Sequence, residues 1–227
     1  RSKGHLNVGT IGHIDHGKST LLDYIRKTNI VETEAGGITQ RISAYEVAHK
    51  REDGSEQKIT FLDTSGHQAF QAMRSRGAAV ADIAILVVSA EDGVKPQTIE
   101  ALNTILSAKI PYIVAINKID KPQANVEKTK QTLSEAGIYL EGYGGNIPFV
   151  PISAKHGDNI PDLLSMILLV SDLEGLTGDM GKNAEGVVIE SSMDPKKGIT
   201  ATIIVTDGKL QTGEFAVSND SICPLRM

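Results

Sequence analysis

The chain has 227 residues and a formal net charge of −5. That length suits one large domain, or one plus part of another, with ample core, and the charge offers no general attraction for polyanions, so any nucleic-acid contact would be local. The single cysteine, Cys223, excludes an internal disulfide framework and fits a reducing compartment, while the longest apolar run, Ile83 to Val88, is far too short to cross a bilayer.

In chain order, the opening "RSKGHLNVGT" lacks the apolar core of a signal peptide. Leu6 to Ile11 reads as a strand, followed by a glycine loop and a helix from about Ser19. Arg41 to His49 and Lys58 to Asp63 flank "REDGSEQ", whose Asp53-Gly54 marks a turn, and read as a hairpin. Gln68 to Ala79 reads as a helix and "DIAILVV" as a buried strand. Pro96 opens a helix with Ile99, Leu102, Ile105 and Leu106 on one face. "PYIVAIN" is a strand, Val126 to Ala136 a helix, "IPFVPIS" a strand and Ile160 to Val170 an amphipathic helix. Strands alternating with helices predict an α/β fold: a mostly parallel six-stranded sheet flanked by helices, with ligands at the carboxyl ends of the strands. After Gly175 the texture changes. "EGLTGDMGKNAEG" reads as a linker, and "GVVIES", "GITATIIVTDGKL" and "GEFAVS" read as short strands of an incomplete antiparallel β-barrel.

Three motifs carry chemistry. "GHIDHGKST" fits G-x-x-x-x-G-K-[ST] from Gly12 to Ser19, between a strand and a helix. In such a loop the backbone N–H groups from His13 through Thr20, with Ile14, Asp15, His16 and Gly17 between, would curl around phosphates at a helix N-terminus. Lys18 would reach the β- and γ-phosphates, and the Ser19 hydroxyl would ligate Mg²⁺. Asp15 could help bind a monovalent cation or cap the turn. His13 and His16 read as packing or loop residues, since two histidines without further local ligands are a weak zinc signal. The loop alone specifies a nucleotide but not its base. "NKID", Asn117 to Asp120, ends the "YIVAI" strand. The Asp120 carboxylate can accept from guanine N1–H and N2–H₂, donors that adenine lacks. Lys118 can lay its stem along the ring, and Asn117 can tie the base to the phosphate loop. In "SAK", Ser153 to Lys155, the Ala154 N–H could donate to guanine O6.

With these residues in hand, the chain resembles a translational GTPase. It is most similar to the G domain and the start of the second domain of bacterial or organellar translation initiation factor two. "GHIDHGKSTLLDYIR", "EAGGITQRISAYEV", "ITFLDTSGHQAFQAMRSRGA", "DIAILVVSAEDGVKPQTIEA", "AINKIDK" and "VPISAKHGDNIPDLL" carry the likeness. The opening "KGHLNVGTIGH" is closer to elongation factor Tu. Ser65 stands where the family has proline, which would stiffen the loop. The resemblance implies a P-loop GTPase fold. Residues 1–176 would form the GTP-binding domain, 177–184 a linker and 185–227 the start of the barrel. It also implies GTP or GDP with Mg²⁺ as ligands. The Gly66 N–H would meet the γ-phosphate, and Asp63 would hold a water on Mg²⁺. His67 would orient the attacking water, and Thr39 would ligate Mg²⁺ and contact the γ-phosphate. Hydrolysis would then release both loops. Arg74 and Arg76 would face the ribosome or solvent, and Met73 the core.

Implied partners are both ribosomal subunits and, through further domains, initiator tRNA; neither membrane nor DNA is expected. The chain would be a cytoplasmic, mitochondrial or plastid monomer. The alternatives are another translational GTPase such as an elongation factor, a guanine-nucleotide module with negligible turnover, and an ATPase, against which Asp120 argues.

Overall fold

The computed structural model describes residues 4–29, 43–51, 54–63, 80–194, 198–218 and 221–224. The expected helix at 68–79, and with it Thr39, Ser65, Gly66, His67, Met73, Arg74 and Arg76, lies outside the described residues; of Asp63 only the backbone is described. Chain contacts divide the molecule into two units, Leu6–Leu176 and Arg1–His5 with Thr177–Met227.

The larger unit holds strands β1 (Leu6–Gly12), β2 (Ser43–Lys50), β3 (Glu56–Asp63), β4 (Ile83–Ser89), β5 (Tyr112–Asn117) and β6 (Phe149–Pro151), in sheet order β2-β3-β1-β4-β5-β6. Every adjacent pair is parallel except the β2–β3 hairpin. The α/β sheet is therefore six-stranded and mostly parallel, as expected. The described helices are α1 (Lys18–Asn29), α2 (Pro96–Ala108), α3 (Val126–Glu135) and α4 (Ile160–Leu173). β6 is shorter than the apolar run suggests. Pro148 precedes it and Pro151 ends it; neither offers an N–H, so the ladder is confined to three residues at the sheet edge.

β4 is buried at all seven positions because helices cover both its faces. On one side Leu21, Leu22 and Ile25 of α1 and Leu163, Leu164, Ile167 and Leu168 of α4 pack with Val8, Ile85, Val87 and Ile113. On the other, α2 lies against β1 and β4. Each of these apolar side chains contributes about 1.5–3 kcal/mol by leaving water. Leu106 departs from the expected apolar face of α2: it is 54% exposed, whereas Leu102 and Ile105 are buried. The parallel order brings the carboxyl ends of β1, β3, β4, β5 and β6 to one edge of the sheet, where the motif residues fall.

Among its described residues the smaller unit holds two antiparallel strand pairs, β7 (Glu185–Asp194) with β8 (Gly198–Asp207), and β9 (Phe215–Ser218) with β10 (Ser221–Pro224). Register shifts at Glu185/Gly186 and Val188/Glu190 bend the first hairpin, as curved barrel strands require. Ile204 is buried, but Met193, Ile199, Phe215, Val217 and Ile222 are exposed, which fits a partial barrel. The strand β10 was not anticipated. Asp207 accepts the N–H groups of Asp179 and Gly208 at 2.8 Å and pairs with Lys182 at 2.8 Å, tying residues 179–182 to the end of β8.

Candidate functional site

The phosphate-loop sequence leaves β1 at Gly12, makes one 3₁₀ turn over Ile14–His16, and enters α1 at Lys18. Two glycines make this path possible. Gly12 has φ +148°, and a Cβ there would sit 2.4 Å from the Val87 carbonyl. Gly17 has φ +82°, and a Cβ would sit 2.6 Å from the Asn117 amide nitrogen. Both positions combine a left-handed backbone with no room for a side chain. α1 begins where the loop ends, so the positive end of the helix dipole lies at the loop. The loop is thus shaped as an anion cradle.

The Lys18 ammonium donates to the Gly12 carbonyl at 2.5 Å and the His13 carbonyl at 2.9 Å, so it is held over the loop from within. Ser19 and Thr20 are exposed at the start of the helix. Asp15 is exposed; its N–H donates to His13 Nδ1 at 3.1 Å, and its carboxylate lies 3.9 Å from the same ring. The Ile14 N–H donates to Gln97 Oε1 at 3.4 Å.

His16 is turned inward and fully buried. Its Nδ1 donates to the Val87 carbonyl at 3.1 Å, and its ring lies 4.9 Å from that of His13. Burial, only partly opposed by the bond to Val87, pushes its pKa down to about 4. The ring is therefore neutral at physiological pH and clips the loop to β4. Among the described residues there is no group of three or more His, Cys, Asp or Glu side chains able to hold a metal.

Asn117, at the end of β5, spans two motifs. Its Nδ2 donates to the His16 carbonyl at 2.8 Å, and its Oδ1 accepts the Ala154 N–H at 2.9 Å. It is buried, so each bond is sheltered from water. Lys118 follows at φ +66°, a left-handed conformation costing a lysine about 1–2 kcal/mol. Asp120 Oδ1 accepts the Ser153 hydroxyl at 2.7 Å. That bond, with help from His156 and Lys155 and against some desolvation, holds the Asp120 pKa below its ordinary value. His156 Nε2 lies 3.7 Å from Asp120 Oδ2. The Ser153 hydroxyl also caps the turn by accepting the His156 N–H at 3.2 Å. A charged acceptor is thereby fixed at the strand end, suited to a base edge that presents donors.

The structure brings together residues 12–20, 117–120 and 153–155. The sheet register carries β3 to Asp63 beside β1, with Leu62 opposite Gly9, one residue short of the level of Thr10. Sequence reasoning missed four neighbours. Tyr24 of α1 packs on Gly157, where φ is +86° and a Cβ would overlap the Tyr24 hydroxyl. Gln97 meets the phosphate loop. Glu91 and Asp92 lie 3.9 Å from Lys118 Nζ. Only the turn signal of "EDG" marked that last loop in the sequence.

Comparison with known proteins agrees with the motifs. The model of the elongation factor Tu GTP binding domain matches residues 3–36 and 27–172. "Translation initiation factor IF-2" of Syntrophomonas wolfei is 51% identical over 219 residues, covering 96% of this chain and 24% of that protein. "Translation initiation factor IF-2, chloroplastic" of Rhodomonas salina is also 51% identical, covering 96% of this chain and 29% of that protein. The solved structure of GDP-bound aIF5B from Aeropyrum pernix matches with a TM-score of 0.73 at 32% identity, covering 95% of this chain and 44% of that one. The chain therefore spans less than a third of the length of these two curated relatives. The phosphate loop and the "NKID" strand end both lie within the matched residues: the chain belongs to the elongation factor Tu GTP-binding domain family.

Proposed function

We propose that this chain is the nucleotide switch of a translation initiation factor, binding and hydrolysing GTP on the ribosome during initiator tRNA placement and subunit joining. The observation that carries the proposal is the Asn117 strut, which bonds a phosphate cradle to the loop whose Ser153 fixes the Asp120 carboxylate, in a chain half identical to initiation factors. Residues 1–176 would be the GTP-binding domain, 177–184 its link, and 185–227 the start of a second domain.

In this proposal Asp120 reads guanine N1–H and N2–H₂, Lys118 covers the ring, and Ala154 meets O6. The amides from His13 through Thr20 hold the phosphates, and Lys18 neutralises charge between β and γ. The donor set fits Mg²⁺: Ser19 and Thr39 would ligate it, and Asp63 would hold one of its waters. Bound Mg²⁺ supplies charge neutralisation at the phosphate oxygens. Gly66 would donate to the γ-phosphate, and His67 would orient the attacking water. Asp15, exposed on the outer turn, is the group to test for a monovalent cation. Partners would be both ribosomal subunits and, through further domains, initiator tRNA. The chain itself would act as a monomer. The bacterial and chloroplastic relatives support cytoplasmic or plastid translation. Among the described residues no helix is long and apolar enough to cross a membrane.

The test is GTP turnover by this chain with and without empty ribosomes, with His67→Ala alongside. Stimulation that the variant loses is expected. Turnover indifferent to ribosomes would overturn the ribosome-coupled part of the proposal.

A further inference from the structure

We propose that Glu91 and Asp92 are positioning residues for Lys118, holding its ammonium on the β4 side so that its stem lies across the base and its charge stays off Asp120. The inference rests on the guanine-reading roles of Lys118 and Asp120 proposed above.

The two carboxylates sit on a rigid turn. Ser89 Oγ accepts the N–H groups of Glu91 and Asp92 at 3.2 and 3.3 Å, and the Gly93 N–H donates to the Ser89 carbonyl at 2.9 Å. The same turn is bonded to the base-reading strand, because the Ala90 N–H donates to the Asn117 carbonyl at 2.7 Å. The acids are therefore fixed relative to Lys118 by backbone, not by flexible side chains alone. Lys118 Nζ lies 3.9 Å from both Glu91 Oε2 and Asp92 Oδ2. Its three neighbours in this ion cluster are each between a quarter and a half exposed, and Lys95 shares Asp92 at 3.6 Å.

The alternative resting place for the ammonium explains why steering matters. Asp120 is two residues away on the same loop and also carries a carboxylate. A lysine paired with Asp120 would occupy the oxygens that guanine needs and would lift its stem from the ring. Two acids on the opposite side offer a competing pairing that leaves Asp120 open. The Asp92 carboxylate is suited to this: desolvation works against its charge, but Lys95, Lys118 and Ser89 outweigh it and hold its pKa below the ordinary value.

The experiment is the dissociation of a fluorescent GDP from the parent chain, from Glu91→Gln, and from Glu91→Gln with Asp92→Asn, each with and without Lys118→Met. Glu91→Gln leaves the Asp92 contacts to Ser89 and Lys95 in place, so it tests steering with the turn intact. The double variant should release GDP about fivefold faster, the scale of one partly exposed ion-pair set, or about 1 kcal/mol. In the Lys118→Met background the same substitutions should change nothing, and high salt should narrow the parental difference. Acid substitutions that are neutral while Lys118→Met weakens binding would overturn the steering alone. Acid substitutions that weaken binding equally in both backgrounds would assign the turn a merely structural role and overturn it too. If Lys118→Ala, which removes the stem that Met retains, is without effect on GDP release, the base-stacking role of Lys118 fails, and the steering with it.

Discussion

Asn117→Ala removes a side chain that bonds the phosphate loop and the "SAK" loop at once. Two partners lose their bond, the His16 carbonyl at 2.8 Å and the Ala154 N–H at 2.9 Å, in a place with 1% exposure. Each buried group left unpaired costs about 1–3 kcal/mol, so with some relaxation the nucleotide-free protein should lose about 2–4 kcal/mol. With a urea dependence of about 2 kcal/mol per molar, the midpoint of the larger unit should fall by about 1–2 M. Urea unfolding without nucleotide measures this, and hydrogen exchange locates it: residues 12–20 and 153–158 should lose protection together. An unchanged midpoint, or lost protection in only one loop, would refute the strut.

Gly17→Ala should fold poorly or bind nucleotide at least tenfold more weakly, since φ +82° and a Cβ 2.6 Å from Asn117 oppose it together; calorimetric titration with GDP checks this. Ser153→Ala removes a hydroxyl donated to a charged acceptor, worth about 1.5–3 kcal/mol, and should weaken GDP binding about tenfold or more by the same titration. His16 makes stability fall in acid. Its folded pKa, lowered from 6.5 to about 4, means that the unfolded chain takes up the proton first on acidification. The contribution is complete above about pH 6.5 and is lost as pH falls toward 4, by on the order of 3 kcal/mol at most. Stability measured across that window should lose this slope in His16→Gln.

Much of the larger unit was legible because its signals are local. A G-x-x-x-x-G-K-S run between an apolar strand and a helix needs no tertiary information, and neither does the unbroken apolar run of β4, buried from both sides. The ends of elements were less legible. Two prolines cut β6 to three residues, and β10 is four residues holding Pro224, too short and atypical to declare itself. Leu106 shows that helical spacing marks a stripe without saying where the neighbouring strand ends. In the site, the link from Asn117 to the phosphate loop could be foreseen from motif order. Its second bond, to the Ala154 N–H, could not, nor could the pairing of Glu91 and Asp92 with Lys118. These depend on which two strand ends the sheet order places side by side.

Guanine recognition by a fixed carboxylate is the central claim, and equilibrium competition tests it most directly. GTP, ATP and xanthosine triphosphate would each displace a fluorescent GDP from the parent chain and from Asp120→Asn. GTP should compete with the parent and ATP should not. In the variant, GTP should weaken while the xanthosine nucleotide gains, because an amide can donate to its 2-oxo group. ATP competing as well as GTP, or a variant with unchanged affinity for both guanosine and xanthosine nucleotides, would contradict the account.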